Sequence, residues 1–94
     1  MRVEWSRPAL TDAVSIVAYV ARDNPDAAAA MLDAIEAAVG RLAEHPGLGR
    51  PGRVTGTREL VVASTPYVVP YRLRCDTGEV LRVLHGGRRW PADL

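Results

Sequence analysis

The chain contains no lysine: all twelve of its basic residues are arginine. Two explanations stand side by side, a coding bias towards arginine and selection for planar donors that grip phosphate or carboxylate in pairs. Cysteine is nearly absent as well. Cys75 stands alone, so no disulfide can close within the chain, and nothing points to a stapled secreted scaffold. No apolar run approaches the ~20 residues that span a bilayer. The first residues, MRVEWSR, lack the apolar core of a signal peptide. A cytoplasmic protein is therefore expected. No glycine loop is followed by Lys and Ser or Thr, which removes the nucleotide-binding P-loop. His45 and His85 lie far apart and no Cys or His pair has ligand spacing, so neither a metal nor another cofactor is expected.

What is present fits one small domain spanning residues 1–94, with the apolar and charged content of an ordinary globular chain. The net charge of +1 conceals an asymmetry. Residues 1–46 carry four arginines against seven carboxylates, −3, and residues 47–94 carry eight against four, +4. The second half is the one to search for an anionic partner, either nucleic acid or an acidic peptide.

Along the chain, RVEW (residues 2–5) alternates as a short strand does, with Val3 and Trp5 on its apolar side. Ser6 fits a helix N-cap, and Pro8 is tolerated in the first turn. Leu10, Ala13, Val14, Val17, Val20 and Ala21 then recur at helical spacing and predict one inward stripe. At RDNP the helix stops; Asn24 caps a second helix with Pro25 at its first position. That helix is expected to run to about Ala43, with Ala28, Met31, Leu32, Ile35, Ala38, Val39 and Leu42 inward and Asp33, Glu36 and Arg41 in water. The short link between the two implies an antiparallel helical hairpin. HPGLGRPGRVTGT (residues 45–57) is too rich in Gly and Pro to be anything but a loop. His45, at the helix end, suits the dipole there as a cation.

Three strand-like runs follow: RELVVA, YVVPYRLR and EVLRVLH, the last two joined by CDTG. Strict alternation places Tyr67, Val69, Tyr71 and Leu73 on one face of the middle strand and Val68, Pro70, Arg72 and Arg74 on the other. In the third, Val80, Arg82 and Leu84 face one way and Leu81, Val83 and His85 the other. Setting the apolar faces on a core gathers Arg72, Arg74 and Arg82 on a single outer face. The expected fold is α+β in two layers: an N-terminal strand, a helical hairpin and a three-stranded antiparallel meander.

His85 closes the third strand before Gly86–Gly87 and the pair Arg88–Arg89. An imidazole moves protons near neutral pH, and guanidiniums hold a phosphate and offset its charge. Together these are the ingredients of a metal-free RNA cleavage. A packed strand-end histidine donating to a carbonyl is the plainer reading. Arg50, Arg53, Arg58, Arg88 and Arg89 add to a basic concavity for a target or partner. Trp90 is either an exposed anchor beside them or a cap on the core edge. Tyr67 and Tyr71 point at the core in this register, which leaves no stacking platform for single-stranded nucleic acid.

Trp5, the helical hairpin ending in HPGLGR, then TRELVV, PYVVPYR and VLRVLHGGRRWP, in that order, resemble the RelE/ParE superfamily of bacterial toxins over nearly the whole chain. The resemblance implies a growth-inhibiting toxin of a type II toxin–antitoxin operon with this α+β layout. It implies neutralisation by a cognate antitoxin that wraps the toxin with an extended or helical segment. DNA is then met only indirectly, through the antitoxin, when the complex represses its own promoter. Two actions occur in the superfamily. RelE-like members cut messenger RNA on the ribosome, which would make His85 the general acid and place Arg72, Arg74 and Arg82 on the phosphate. ParE-like members bind and poison DNA gyrase without chemistry of their own. Val68 stands where nuclease members commonly carry an arginine, the run RELVV lacks the lysines some of them use, and no tyrosine follows His85. These departures favour the gyrase-binding branch, with the ribosome-dependent endoribonuclease as the alternative and a degenerate toxin that only occupies antitoxin as a third.

Overall fold

A computed structural model describes the whole chain, residues 1–94. Strand β1 (Arg2–Trp5) leads into α1 (Arg7–Ala21) and α2 (Pro25–Gly40), the second prolonged by a 3₁₀ turn over Arg41–Ala43. Five more strands follow: β2 (Arg50–Pro51), β3 (Arg58–Val61), β4 (Tyr67–Arg74), β5 (Thr77–Val80) and β6 (Leu84–His85). They form one sheet of order β1-β5-β4-β3-β2, with β6 also on β4. Every pairing is antiparallel except that of β1 with β5. The helical hairpin covers one face, as expected for the α+β class.

Both helix starts follow the sequence signals. The Ser6 hydroxyl accepts from the Ala9 N–H and donates to the Leu81 carbonyl, so the cap also ties α1 to the sheet. The Asn24 side chain accepts from the Ala27 N–H, and a proline lies in the first turn of each helix. Loop 45–57 is less irregular than its composition suggests, since Arg50–Pro51 pairs with Glu59 and Arg58. It is pinned by Tyr71, whose hydroxyl accepts from the Gly49 N–H and donates to the Pro46 carbonyl, both at 2.8 Å. A Cβ on Gly49 would stand 2.6 Å from the Tyr71 ring, so only glycine lets the loop lie that close.

The core joins Ala9, Ile35, Ala38, Val39 and Leu42 of the helical layer to Leu60, Val62, Val69, Tyr71, Val80 and Val83 of the sheet. Here the expected α1 stripe is corrected. Ala9 and Ala13 are the buried residues of α1, with Ile16 packed beside the core, whereas Leu10 is 51% and Val14 69% exposed. Leu32 of α2, placed inward by spacing, is also exposed. The helix carries two apolar stripes about one residue apart; the sheet accepts the one with small alanines, because these let the helix approach closely.

A second correction concerns the third run of the meander. Val80 stands opposite Tyr71, but Leu84 stands opposite Val68, so Leu81, Arg82 and Val83 face only Val69 and Pro70. This is a one-residue bulge, and it flips every side chain beyond it. Val80, expected on the outer face with Arg82, therefore joins Val83 in the core, and His85 stays on its expected side, facing Tyr67.

Candidate functional site

Because of the bulge, the arginines expected on one outer face are held apart. Arg72 lies on that face, where its Nε donates to Glu79 at 2.8 Å. Arg74 is exposed at the strand end, beside the hairpin turn of Cys75. Arg82 turns to the helical layer instead. Its Nε and Nη2 clasp both carboxylate oxygens of Asp12 on α1 at 2.7 and 3.0 Å, and Asp12 Oδ2 also accepts from the Val83 N–H. The hydrogen bonds and charge of Asp12 raise the Arg82 pKa against the opposing effect of burial. The predicted grouping of Arg72, Arg74 and Arg82 does not form.

A different cluster sits on the outer face. Glu59 is 4% exposed there, although carboxylates are seldom buried unpaired. It accepts from the Arg53 backbone N–H at 2.8 Å and from the guanidiniums of Arg53 and Arg50. Burial by itself pushes the Glu59 carboxyl up; those hydrogen bonds and the Arg53 charge outweigh it and hold its pKa below the ordinary carboxylate value. The Arg53 guanidinium in turn lies 3.4 Å from the centre of the Trp90 ring. Trp90 Nε1 donates to the His85 carbonyl, which fastens the C-terminal tail. Arg58 is likewise engaged in the fold, donating to the Gly49 and Gly47 carbonyls. Arg50, Arg53 and Arg58, expected to meet a target or antitoxin, thus hold loop 45–57 in place, and Trp90 acts as a cap with one face against Arg53.

Of the residues singled out by sequence, His85, Arg88, Arg89 and Trp90 do come together. They line a groove of about 370 Å³ at the end of the sheet, with Tyr67 and the α1 residues Asp12, Ile16 and Tyr19. The His85 ring meets Tyr67 edge-on at 5.7 Å, and its Nδ1 accepts from the Gly87 N–H at 3.0 Å. That bond leaves the imidazole proton on Nε2. Arg88 and Arg89 are exposed and form no ion pair.

Sequence reading missed the largest concavity. A groove of about 610 Å³ opens between α1, α2 and β1. Val3 and Trp5 contribute from β1, Leu10, Val14 and Val17 from α1, Leu32 and Val39 from α2, and Glu36 is the one ionisable side chain in its lining. The signal was in the sequence as a surplus of apolar positions on α1, more than one stripe can bury.

Comparison with known proteins gives this geometry a context. The family model described as the ParE toxin of the type II toxin–antitoxin system parDE matches residues 3–90. The protein Y4kP of Sinorhizobium fredii, whose name describes it as a candidate toxin, is 48% identical over 93 residues, 99% of this chain and 96% of that one. A solved chain from the chromosomal ParDE toxin–antitoxin system of P. aeruginosa superposes with a TM-score of 0.83 at 27% identity, covering 90% of this chain and 95% of its own. A chain of the RelBE2 toxin–antitoxin complex of Mycobacterium tuberculosis does so at 0.59 and 27%, covering 89% and 95%.

Proposed function

Since the chain belongs to the ParE toxin family, within the RelE/ParE superfamily of type II toxins, we propose that it arrests growth by binding DNA gyrase in the cytoplasm. In this reading it has no catalytic turnover and is held inactive by a cognate antitoxin. The observation that carries the choice of target is the dispersal of the arginines. A metal-free RNA cleavage needs a proton donor and phosphate-binding guanidiniums converging within hydrogen-bond reach of one phosphate. Arg72 and Arg82 are instead paired with Glu79 and Asp12 in different layers. Val68, at the position where nuclease relatives carry arginine, is buried. Binding without chemistry needs surface, and the exposed Arg88 and Arg89 supply cationic surface beside the second groove.

The antitoxin is assigned to the larger groove. Its lining is apolar but for Glu36 and Gly40, and an exposed apolar groove is a form that partner sites take. The solved relatives come from a ParDE system and a RelBE2 complex, each a toxin–antitoxin pair. The alternative target keeps one observation in its favour: His85, Arg88 and Arg89 share a groove, which is what remains of a ribonuclease constellation. Purified toxin added in parallel to a gyrase supercoiling assay and to in-vitro translation separates the two. Trapped gyrase–DNA cleavage complexes with translation intact are expected. Unchanged supercoiling at excess toxin, with mRNA cut in the translation reaction, would reverse the assignment.

A further inference from the structure

We propose that Glu36 and Gly40, one turn apart on α2, select the antitoxin. The groove takes an amphipathic helix that sets a lysine or arginine against Glu36 and brings its backbone, or a small residue, against Gly40. This rests on the reading of the groove as the antitoxin site and specifies the chemistry of its occupant.

The walls decide the occupant's conformation. Leu10, Val14 and Val17 on α1 and Leu32, Glu36 and Val39 on α2 form two ridges at helical spacing. A third helix laid between them completes a helical layer by ordinary ridge-into-groove packing. The two helical walls pair their own backbone, so an extended segment would find partners only along β1, the edge strand in the groove, whereas a helix satisfies its own groups along its whole length.

Glu36 decides the charge. It is the one ionisable group in an otherwise apolar lining, it is exposed, and it forms no ion pair within the chain. A purely apolar helix would strip water from that carboxylate and return nothing, and an acidic one would add repulsion. A lysine or arginine at the facing position restores its pairing, so the same residue rewards one antitoxin and rejects others.

Gly40 decides the closest approach. Its backbone is ordinary right-handed helix, with φ −59° and ψ −30°, so no turn requires glycine there. A Cβ built on it meets no atom within 4 Å, so no neighbour in the fold requires glycine either. Alanine is the better helix former at such a position. The bare position lines the groove, and an occupant packed against it accounts for the missing side chain.

The test uses the full-length toxin and, as probe, the small protein encoded by the reading frame adjacent to its own. Wild type, Glu36→Arg and Gly40→Leu are each titrated calorimetrically, and their urea midpoints are recorded. Both variants are expected to keep the wild-type midpoint or exceed it, because neither position contacts the core. Glu36→Arg should weaken binding by about 10-fold and Gly40→Leu by about 30-fold or more. Changing the facing basic residue of the probe to Glu should restore Glu36→Arg binding. Variants that bind within about twofold of wild type overturn the inference and leave the toxin–antitoxin reading standing. A probe that fails to bind wild type removes both. Self-association of the wild type that Gly40→Leu abolishes would give the groove to a second copy of this chain and overturn the assigned occupant.

Discussion

Arg82 is where sequence and structure assign opposite roles, and removing it separates them. If it held a phosphate, Arg82→Ala would abolish toxicity and leave the fold untouched. In the structure it is half of a clasp that joins the edge of the sheet to α1, with side chains 24% and 16% exposed for Arg82 and Asp12. Two charge-assisted bonds, at 2.7 and 3.0 Å, cross that junction. A hydrogen bond to a charged group contributes about 1.5–3 kcal/mol net, and partial exposure puts this pair towards the lower end. Arg82→Ala should therefore cost about 3 kcal/mol, leaving Asp12 only the Val83 N–H. Asp12→Ala should cost as much or slightly more, because it also orphans that N–H. The double variant should cost about 3 kcal/mol less than the sum of the singles, because each single already removes both bonds. On a domain of this size 3 kcal/mol is roughly a 12–24 °C fall in melting temperature and a large share of total stability. Urea denaturation of the four proteins measures the cycle. A coupling below about 0.5 kcal/mol, or an Arg82→Ala protein with wild-type stability and no toxicity, would show that the arginine serves the target and not the fold.

Three further outcomes follow from the same geometry. Val14→Ser and Leu10→Ser, in the open groove, should change stability by less than about 0.5 kcal/mol, whereas Ile35→Ala in the core should cost about 2–5; equal costs would mean that the groove is closed in solution. Cys75 opens the two-residue turn between β4 and β5 at φ 54°, a position that favours glycine, so Cys75→Gly should raise the urea-derived unfolding free energy by about 0.5–1 kcal/mol; a loss of that size would count against the turn geometry. Glu59 has a folded-state pKa below its ordinary value of 4.5, so the unfolded chain takes up this proton first. Its contribution is complete above about that pH and is lost as the pH falls through the lowered folded-state value. Comparing wild type with Glu59→Gln across pH 2–7 isolates it: the gap between the two should narrow on acidification, and a gap independent of pH would show that the carboxylate is not held ionised.

Local chemistry made the element order legible. Ser6 and Asn24 have side chains that can reach N–H groups three residues on, and prolines lie just inside both helices, so the two starts follow from covalent structure alone. Alternation in YVVPYRLR placed Tyr67, Val69 and Tyr71 on the core for the same local reason, whereas Leu73, assigned to the same face, lies beyond the helical cover and is exposed. What local chemistry could not reveal was which of two apolar stripes on α1 meets the sheet. Periodicity reports that a face is apolar, not what covers it. Leu10, Val14 and Val17 were read as core for that reason, although they line the groove assigned to the antitoxin.

The covalent sequence determined, by itself, the strand–hairpin–meander order, the cationic second half and the likeness to a toxin superfamily. Each depends on residues near one another in the chain or on composition. Only the tertiary structure decided where the arginines point. A single extra residue between Val80 and Leu84 reverses the faces beyond it, and whether the ladder absorbs that residue depends on pairing with β4 and on Asp12, some seventy residues away, waiting for Arg82. Contacts at that separation leave no periodic trace in the sequence, so the fate of a proposed site can turn on them unseen.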